Sequence, residues 1–172
     1  MSLNSSKEIF LCLTDRQIKI ENMKLRVFTD GGSRGNPWEA GIWVYITDRE
    51  WKALERRYKY LGVTTNNIAE YTGALYGIKR ARELWVTQIE LCMDSKLVIE
   101  QLTGRWKIKN EYLRQLANDI KYHSKGIEII YKWIPREQNT VADMLSNKAM
   151  DEKNQYFLKN IIWYILDMIE FH

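Results

Sequence analysis

Alternating apolar and polar positions predict three strands in succession near the start of the chain. The first covers residues 25–30 and ends at a loop, residues 31–37, that is marked by its glycines and its proline. The second covers residues 41–47, and the third covers residues 53–61. Short connections between successive strands are typical of an antiparallel meander.

A helical period then replaces the alternation. Apolar side chains recur at helical spacing at Ile68, Tyr71, Leu75, Ile78 and Ala81. Residues 64–66 supply candidate N-caps for this helix. Gly73 and Gly77 lie inside it, and each costs ~1 kcal/mol relative to alanine. A close approach of the helix to the sheet would explain why both glycines are tolerated.

The rest of the chain continues the mixed pattern. It predicts a strand at 88–93, helices at 95–102 and 111–123, a strand at 127–134, a loop at 135–139 and a helix at 141–150. This order predicts an α/β fold with a mixed five-stranded sheet flanked by helices. We therefore expect the main domain at residues 23–150.

Two extensions flank this domain. Residues 1–22 form an N-terminal extension in which alternating apolar positions allow a short hairpin. Residues 151–172 are expected to add an amphipathic C-terminal helix, whose apolar stripe consists of Leu158, Ile161, Ile162, Ile165 and Ile169. Docking on the domain and self-association are both open as roles for this helix.

Composition limits the class of protein. The chain has 172 residues, of which 45% are hydrophobic, so one domain with a sizeable core is expected. Apolar runs are too short for a membrane span and no secretory signal is visible, so we expect a cytoplasmic protein without a membrane partner. Cys12 and Cys92 do not form a disulfide framework, and Cys92 is expected to be a small buried hydrophobe. A net charge of +4 permits a polyanionic partner.

Acidic residues lie where the predicted fold brings distant segments together. Asp30 and Asp94 each end a strand, and the helix between those strands is a crossover connection that makes them parallel neighbours. Ligands of open α/β sheets bind at the carboxyl ends of the strands. Glu70, in the first turns of the crossover helix, and Asp143, in the first turn of the last helix, should lie at the same edge.

Four clustered carboxylates predict a divalent-metal site. Their mutual repulsion raises their pKa values unless a cation compensates. Oxygen ligands suit Mg²⁺, and two such ions can assist an in-line phosphoryl displacement. Taken singly, each acid is more often structural, either as a solvated turn residue or as a residue that complements a helix dipole. The set predicts a metal-dependent nuclease.

Four segments carry a family resemblance. They are residues 29–37 (TDGGSRGNP), 64–70 (TTNNIAE), 94–95 (DS) and 139–143 (NTVAD). In this order and spacing they closely resemble type 1 ribonucleases H, which hydrolyse the RNA strand of RNA–DNA hybrids. The resemblance covers about residues 24–150, and the compact form, without a long basic insertion, is most similar to archaeal and some bacterial members.

The resemblance implies roles for the matching acids. Asp30 would bridge two Mg²⁺ ions, with Mn²⁺ able to substitute. Asp143 would complete the site of the ion that activates the attacking water, while Glu70 and Asp94 would hold the ion at the leaving group. An RNA–DNA hybrid would be cut endonucleolytically to give 5′-phosphate and 3′-hydroxyl ends. Glu70 would also sense a 2′-hydroxyl.

The resemblance also implies substrate contacts. Asn36, Asn66 and Asn67 match positions that contact the minor groove, and Thr65 and Asn110 match a pocket for a DNA phosphate. Amides suit this role because they both donate and accept hydrogen bonds. The alternative for Asn66 and Asn67 is helix capping. Trp106, in a basic segment, is expected either to support nucleic-acid binding or to be a core residue.

One departure from the family pattern concerns the loop before the last helix. Many relatives carry a histidine there, whereas this loop has none and contains Arg136. Arg136 is therefore a candidate helper in proton transfer or product release, against the alternative of a solvated cation.

Two rival functions stay open, namely a nuclease of relaxed specificity that also cuts double-stranded RNA and a non-catalytic hybrid-binding module.

Overall fold

One sheet of six strands organises the part of the chain that the structure describes. The structure is a computed structural model, and it describes residues 24–35 and 37–139 together with the backbone of residues 155–158. The strands are β1 (Lys24–Ser33), β2 (Trp38–Thr47), β3 (Ala53–Thr64), β4 (Gln88–Met93), β5 (Glu128–Trp133) and β6 (Gln155–Leu158), in the sheet order β5-β4-β1-β2-β3-β6. The β1–β4 and β4–β5 pairs are parallel, and the others are antiparallel. The predicted α/β class and the parallel pairing of β1 with β4 are confirmed.

Three helices accompany the sheet, and they confirm three of the four helices predicted for residues 23–150. They are α1 (Asn66–Glu83), α2 (Lys96–Leu102) and α3 (Glu111–His123), followed by a short 3₁₀ turn, Arg136–Gln138. The side chains of Thr65 and Asn110 cap α1 and α3 by accepting hydrogen bonds from backbone amides of the first turn. Among the described helices, none combines the length and the apolar character that crossing a bilayer requires.

The main core lies between the sheet and the helices. Inward-facing residues of β1 and β4 meet α1 and α3, and the fully buried members include Leu25, Val27, Ile89, Leu91, Ala74, Ile78 and Ile120. A second cluster occupies the other face of the sheet and contains Phe28, Trp43, Tyr58, Cys92 and Ile134. Both faces of the sheet therefore carry buried side chains. Cys92 is buried as expected, and burial raises the pKa of its thiol to about 11.

Two glycines let α1 lie directly against β1. A Cβ atom at Gly73 would lie 3.0 Å from the carbonyl oxygen of Asp30, and one at Gly77 would lie 2.7 Å from the methyl carbon of Thr29. Side chains at these positions would push the helix away from the sheet. The predicted close approach of helix to sheet is confirmed.

The predicted loop at 31–37 was wrong in its first residues. β1 continues through Ser33, where Gly31 pairs with Ile42 and Ser33 pairs with Ala40, and β2 already begins at Trp38. Strand pairing uses only backbone groups, so glycines can remain in the ladder when the partner strand is present. Two successive glycines are typical of a turn, but pairing with β2 keeps Gly31 and Gly32 in the strand.

The predicted C-terminal helix was wrong at residues 155–158. These residues form β6, which pairs with β3 so that Gln155 lies opposite Lys59 and Leu158 lies opposite Arg56. An edge strand offers unpaired backbone donors and acceptors, and satisfying them outweighs a helical period in the side chains. The sheet therefore has one strand more than predicted. The other positions of the apolar stripe, the helix at 141–150 and the extension at 1–22 lie outside the described residues.

Replacing Gly31 by alanine should destabilise the fold strongly. The new Cβ would lie 2.1 Å from the carbonyl carbon of Ala69, and backbone atoms on both sides leave no flexible group to move. We expect the free energy of unfolding to fall by about 3 kcal/mol or more in a denaturant titration. Gly62→Ala is the control, because Gly62 has a left-handed φ but nothing within 4 Å. The close approach of α1 to β1 would be contradicted if Gly31→Ala lowered the free energy of unfolding no more than Gly62→Ala does.

Candidate active site

Three of the predicted acids meet at one edge of the sheet. Asp30 lies near the end of β1, Asp94 directly follows the parallel strand β4, and Glu70 lies in the second turn of α1. One carboxylate oxygen from each lies within 4.8 Å of the other two. The predicted convergence of these three side chains is confirmed. Asp143, the fourth predicted acid, lies outside the described residues.

The approach of α1 to Gly31 brings Glu70 to the site. The missing side chain of Gly31 leaves room for the peptide between Ala69 and Glu70, which a Cβ atom would overlap. The Gly31 amide donates a hydrogen bond to the Glu70 carboxylate. One turn earlier, the Ser33 amide donates to Oδ1 of Asn66 at 3.2 Å. The beginning of α1 is therefore fixed to the end of β1 by polar contacts.

Burial makes the three acids electrostatically unfavourable as a group. Asp30 and Glu70 are each only 7% exposed, and Asp94 is partly buried. Burial, then the charge of Asp30 and then that of Asp94 raise the pKa of Glu70 well above its usual range. The Gly31 hydrogen bond and the charge of Arg136 lower this pKa only in part. The site thus has an excess of negative charge with little access to water.

The donor set fits a divalent cation. Oε2 of Glu70 is buried and has no hydrogen-bond partner among the described residues. A buried oxygen of this kind is costly unless a ligand satisfies it. Carboxylate oxygens are the ligands that Mg²⁺ and similar hard cations prefer, and a cation would relieve the repulsion that raises the pKa of Glu70. The three acids could therefore hold such an ion.

Asn139 is a site residue whose contacts sequence reasoning did not foresee. It is only 3% exposed, and its Nδ2 donates to the carbonyl oxygen of Thr29 and to Oδ1 of Asp94, each at 3.3 Å. Trp133 adds a second constraint, because its Nε1 donates to the carbonyl oxygen of Asp94 at 3.0 Å. Asn139 opened the fourth sequence motif, but that position alone could not show that it contacts Asp94.

The predicted substrate residues of the α1 and α3 starts lie at the surface or at caps. Thr65 caps α1, its hydroxyl accepting from the Ile68 amide at 3.4 Å. Asn110 caps α3, accepting from the Leu113 amide at 3.0 Å. Asn66 and Asn67 are exposed, and capping by either is excluded because Thr65 is the N-cap. Asn36 lies outside the described residues.

Trp106 and Arg136 are both exposed. Trp106 is 48% exposed, which excludes the alternative that it is a core residue. The neighbouring Arg105 forms an ion pair with Glu100, whereas no ion pair appears for Lys107 within the described part of the chain. Arg136 begins the 3₁₀ turn, and its charge acts on Glu70. Arg136 is therefore electrostatically connected to the carboxylates.

Comparison with known proteins places this geometry in a family. Residues 29–149 match the family model described as reverse transcriptase-like. The crystal structure of RNase H1 from the halophilic archaeon Halobacterium salinarum is 31% identical, covers 75% of this chain and 98% of its own, and superposes with a TM-score of 0.73. The chain belongs to the ribonuclease H family. The predicted resemblance and the ribonuclease H-like fold are confirmed.

Two further family members are similar over the same region. The crystal structure of LC11-RNase H1 in complex with an RNA/DNA hybrid is 34% identical, covers 75% of this chain and 98% of its own, and gives a TM-score of 0.72. A bifunctional protein of Mycobacterium tuberculosis is 42% identical over 135 residues, which are 77% of this chain but 37% of that protein. This chain therefore matches only a little over a third of that relative's length.

Replacing Glu70 by glutamine should stabilise the metal-free protein, increasingly so as the pH rises. Because the pKa of Glu70 is raised in the folded state, the folded protein holds this proton more tightly than the unfolded chain does. The stabilisation of the folded protein by this proton is complete below the ordinary pKa of glutamate. It is lost as the pH rises through the raised pKa of Glu70. Thermal unfolding in EDTA across this pH range measures the difference. Asp119→Asn, at an exposed acid of α3, is the control and should show no such trend.

Proposed function

We propose that this chain is an endonuclease that hydrolyses the RNA strand of RNA–DNA hybrids and leaves 5′-phosphate and 3′-hydroxyl ends. The observation that carries the proposal is the meeting of Asp30, Glu70 and Asp94 at one edge of the sheet. Their burial and repulsion have no structural benefit, and perturbed carboxylates of this kind concentrate at functional sites. The arrangement argues against a non-catalytic module, which would not need it.

The carboxylates would hold two Mg²⁺ ions, with Asp143 as the fourth ligand residue and Mn²⁺ as a substitute. When bound, such ions supply a clamp for the attacking and leaving oxygens of a phosphoryl displacement. The protein's own contribution is to hold the carboxylates in place. Asn139 holds the Asp94 carboxylate relative to β1, and Gly31 holds the Glu70 carboxylate through its amide.

A hybrid duplex is the substrate that the surroundings of the site favour. The exposed amides of Asn66 and Asn67 begin α1 beside the carboxylates, and amides suit 2′-hydroxyls and minor-groove base edges. Trp106 and Lys107 are exposed next to Asn110, where they can contact a phosphate backbone. The similarity to LC11-RNase H1, solved in complex with an RNA/DNA hybrid, supports this substrate class.

A cleavage assay tests the proposal. A duplex with labelled RNA annealed to DNA should be cut in the presence of Mg²⁺, and cutting should stop when EDTA is added. Asp30→Asn, Glu70→Gln, Asp94→Asn and Asp143→Asn should each reduce kcat/KM by more than about 100-fold, a larger effect than removing a residue that only orients a ligand. Asp119→Asn removes one acid elsewhere and should retain activity. Cutting that persists in EDTA, or in Asp30→Asn, would exclude the mechanism.

Parallel substrates separate the rival functions. Double-stranded RNA of the same sequence should be cut far more slowly than the hybrid, because only the hybrid pairs a 2′-hydroxyl strand with a DNA backbone. Equal rates would support a nuclease of relaxed specificity. Tight binding of the hybrid without cutting would support a binding module.

We further propose that Arg136 assists turnover, and unchanged turnover in Arg136→Ala would exclude that role.

Asn139→Ala should weaken the use of metal more than it weakens the fold. Losing the donor to Asp94 frees that carboxylate to rotate, and partners that orient metal ligands typically contribute about 10- to 100-fold in affinity or activity. The Mg²⁺ concentration for half-maximal cleavage should rise accordingly. Gln138→Ala changes the exposed neighbour and should behave like the wild type. If both variants show the same Mg²⁺ requirement, Asn139 does not position Asp94.

A further inference from the structure

A cleft of about 820 Å³ opens at the end of the sheet opposite the carboxylates. It lies between the end of α1, the beginning of β4, the end of α3 and the turn before β5, and its walls include Trp85, Thr87, His123 and Gly126. β4 begins beside this cleft and ends at the carboxylates. At the rise of an extended strand, the two sites are about 20 Å apart.

The cleft carries an excess of positive charge. Lys79, Arg82 and Lys125 line it, all three are exposed, and none forms an ion pair with a carboxylate of the described residues. Glu83 is the acid among the lining residues, and it is already paired with Arg80 at 2.6 Å. Partial burial and then the charges of Lys79 and Arg82 lower the pKa of His123. An anion is therefore the ligand that this surface favours.

Trp85 presents a flat aromatic ring in this cleft at a strained position. It is 65% exposed, and it follows the C-cap Leu84 with a left-handed φ of 58°. Glycine is the usual residue at this position after a helix, because a left-handed residue with a side chain costs roughly 1–2 kcal/mol. Most of the indole is open to solvent and therefore accessible to a ligand. Glycine would meet the backbone requirement of this position without strain, and a role in binding would explain why a tryptophan stands there.

We propose that this cleft is a second nucleic-acid site that binds a single strand, with a base stacked on Trp85 and backbone phosphates on Lys79, Arg82 and Lys125. Exposed aromatic rings beside a row of cations form the usual platform for single strands. An acidic peptide would use the same cations, but it would not require an exposed flat ring. This proposal goes beyond the nuclease function and does not depend on it, since binding needs neither the carboxylates nor cleavage.

Fluorescence anisotropy of a labelled oligothymidylate tests the proposal. The full chain is titrated in EDTA, so that nothing is cut. Trp85→Gly should weaken binding by about 5- to 100-fold, the effect of losing one stacked base. Its melting temperature should equal or exceed that of the wild type, because glycine relieves the left-handed strain. Replacing Lys79, Arg82 or Lys125 by glutamine should lower the slope of log affinity against log salt by about 0.7 for each phosphate that the variant no longer neutralises.

Trp51→Gly is a matched control. Trp51 is also exposed, at 62%, and also left-handed, with φ of 67°, but it lies in the β2–β3 turn with the Arg26 guanidinium 4.3 Å from its ring. Its replacement should leave oligothymidylate binding unchanged. The proposal is overturned if the wild type does not bind the oligonucleotide, if Trp85→Gly binds as tightly as the wild type, or if both glycine variants lose affinity equally. Binding of a labelled acidic peptide in place of the oligonucleotide would assign the cleft to a protein partner instead.

Discussion

The close packing of the start of α1 on Gly31 is the constraint on which the rest of the site depends. A helix normally lies about 10 Å from the sheet it covers, because side chains separate the two layers. Here three glycines, Gly31, Gly73 and Gly77, remove those side chains along one line between helix and strand. The helix therefore lies close to β1, and this places the Glu70 carboxylate near that of Asp30. Without this packing Glu70 would lie farther from the two aspartates, which the β1–β4 pairing brings together.

The same packing sets the electrostatic character of the site. Withdrawing Glu70 from water next to two aspartates opposes folding, and neighbouring groups compensate for it only in part. The protein thus sacrifices some stability at the edge where chemistry is proposed, as enzymes often do. Its surplus cations lie elsewhere, at the exposed basic segment around Trp106 and in the cleft around Trp85. A local cluster of three acids therefore lies in a molecule whose net charge is +4.

Much of this arrangement could be predicted from the sequence because it rests on periodic patterns and on a topological rule. The apolar period located the helices, and the right-handed crossover made β1 and β4 parallel neighbours, which brought Asp30 and Asp94 to one edge. Features that depend on a single partner could not be predicted. The sequence around Gly31 is typical of a turn, but Gly31 pairs with Ile42 in the sheet. Asn139 lies in a predicted loop, and only the structure shows its hydrogen bond to Asp94. The residues that flank Trp85 in the sequence do not indicate its left-handed φ.

The pairing of β6 with β3 has a consequence for how the chain folds during synthesis. β3 emerges early, whereas its outer partner lies late in the chain, so the two meet only after almost all of the domain has left the ribosome. Until then the outer edge of β3 is an open template on which a second nascent chain can add a strand. Arginines at positions 56 and 57 and a lysine at position 59 line that edge. Their like charges disfavour pairing between two copies during this interval, so they protect the folding intermediate before β6 covers the edge.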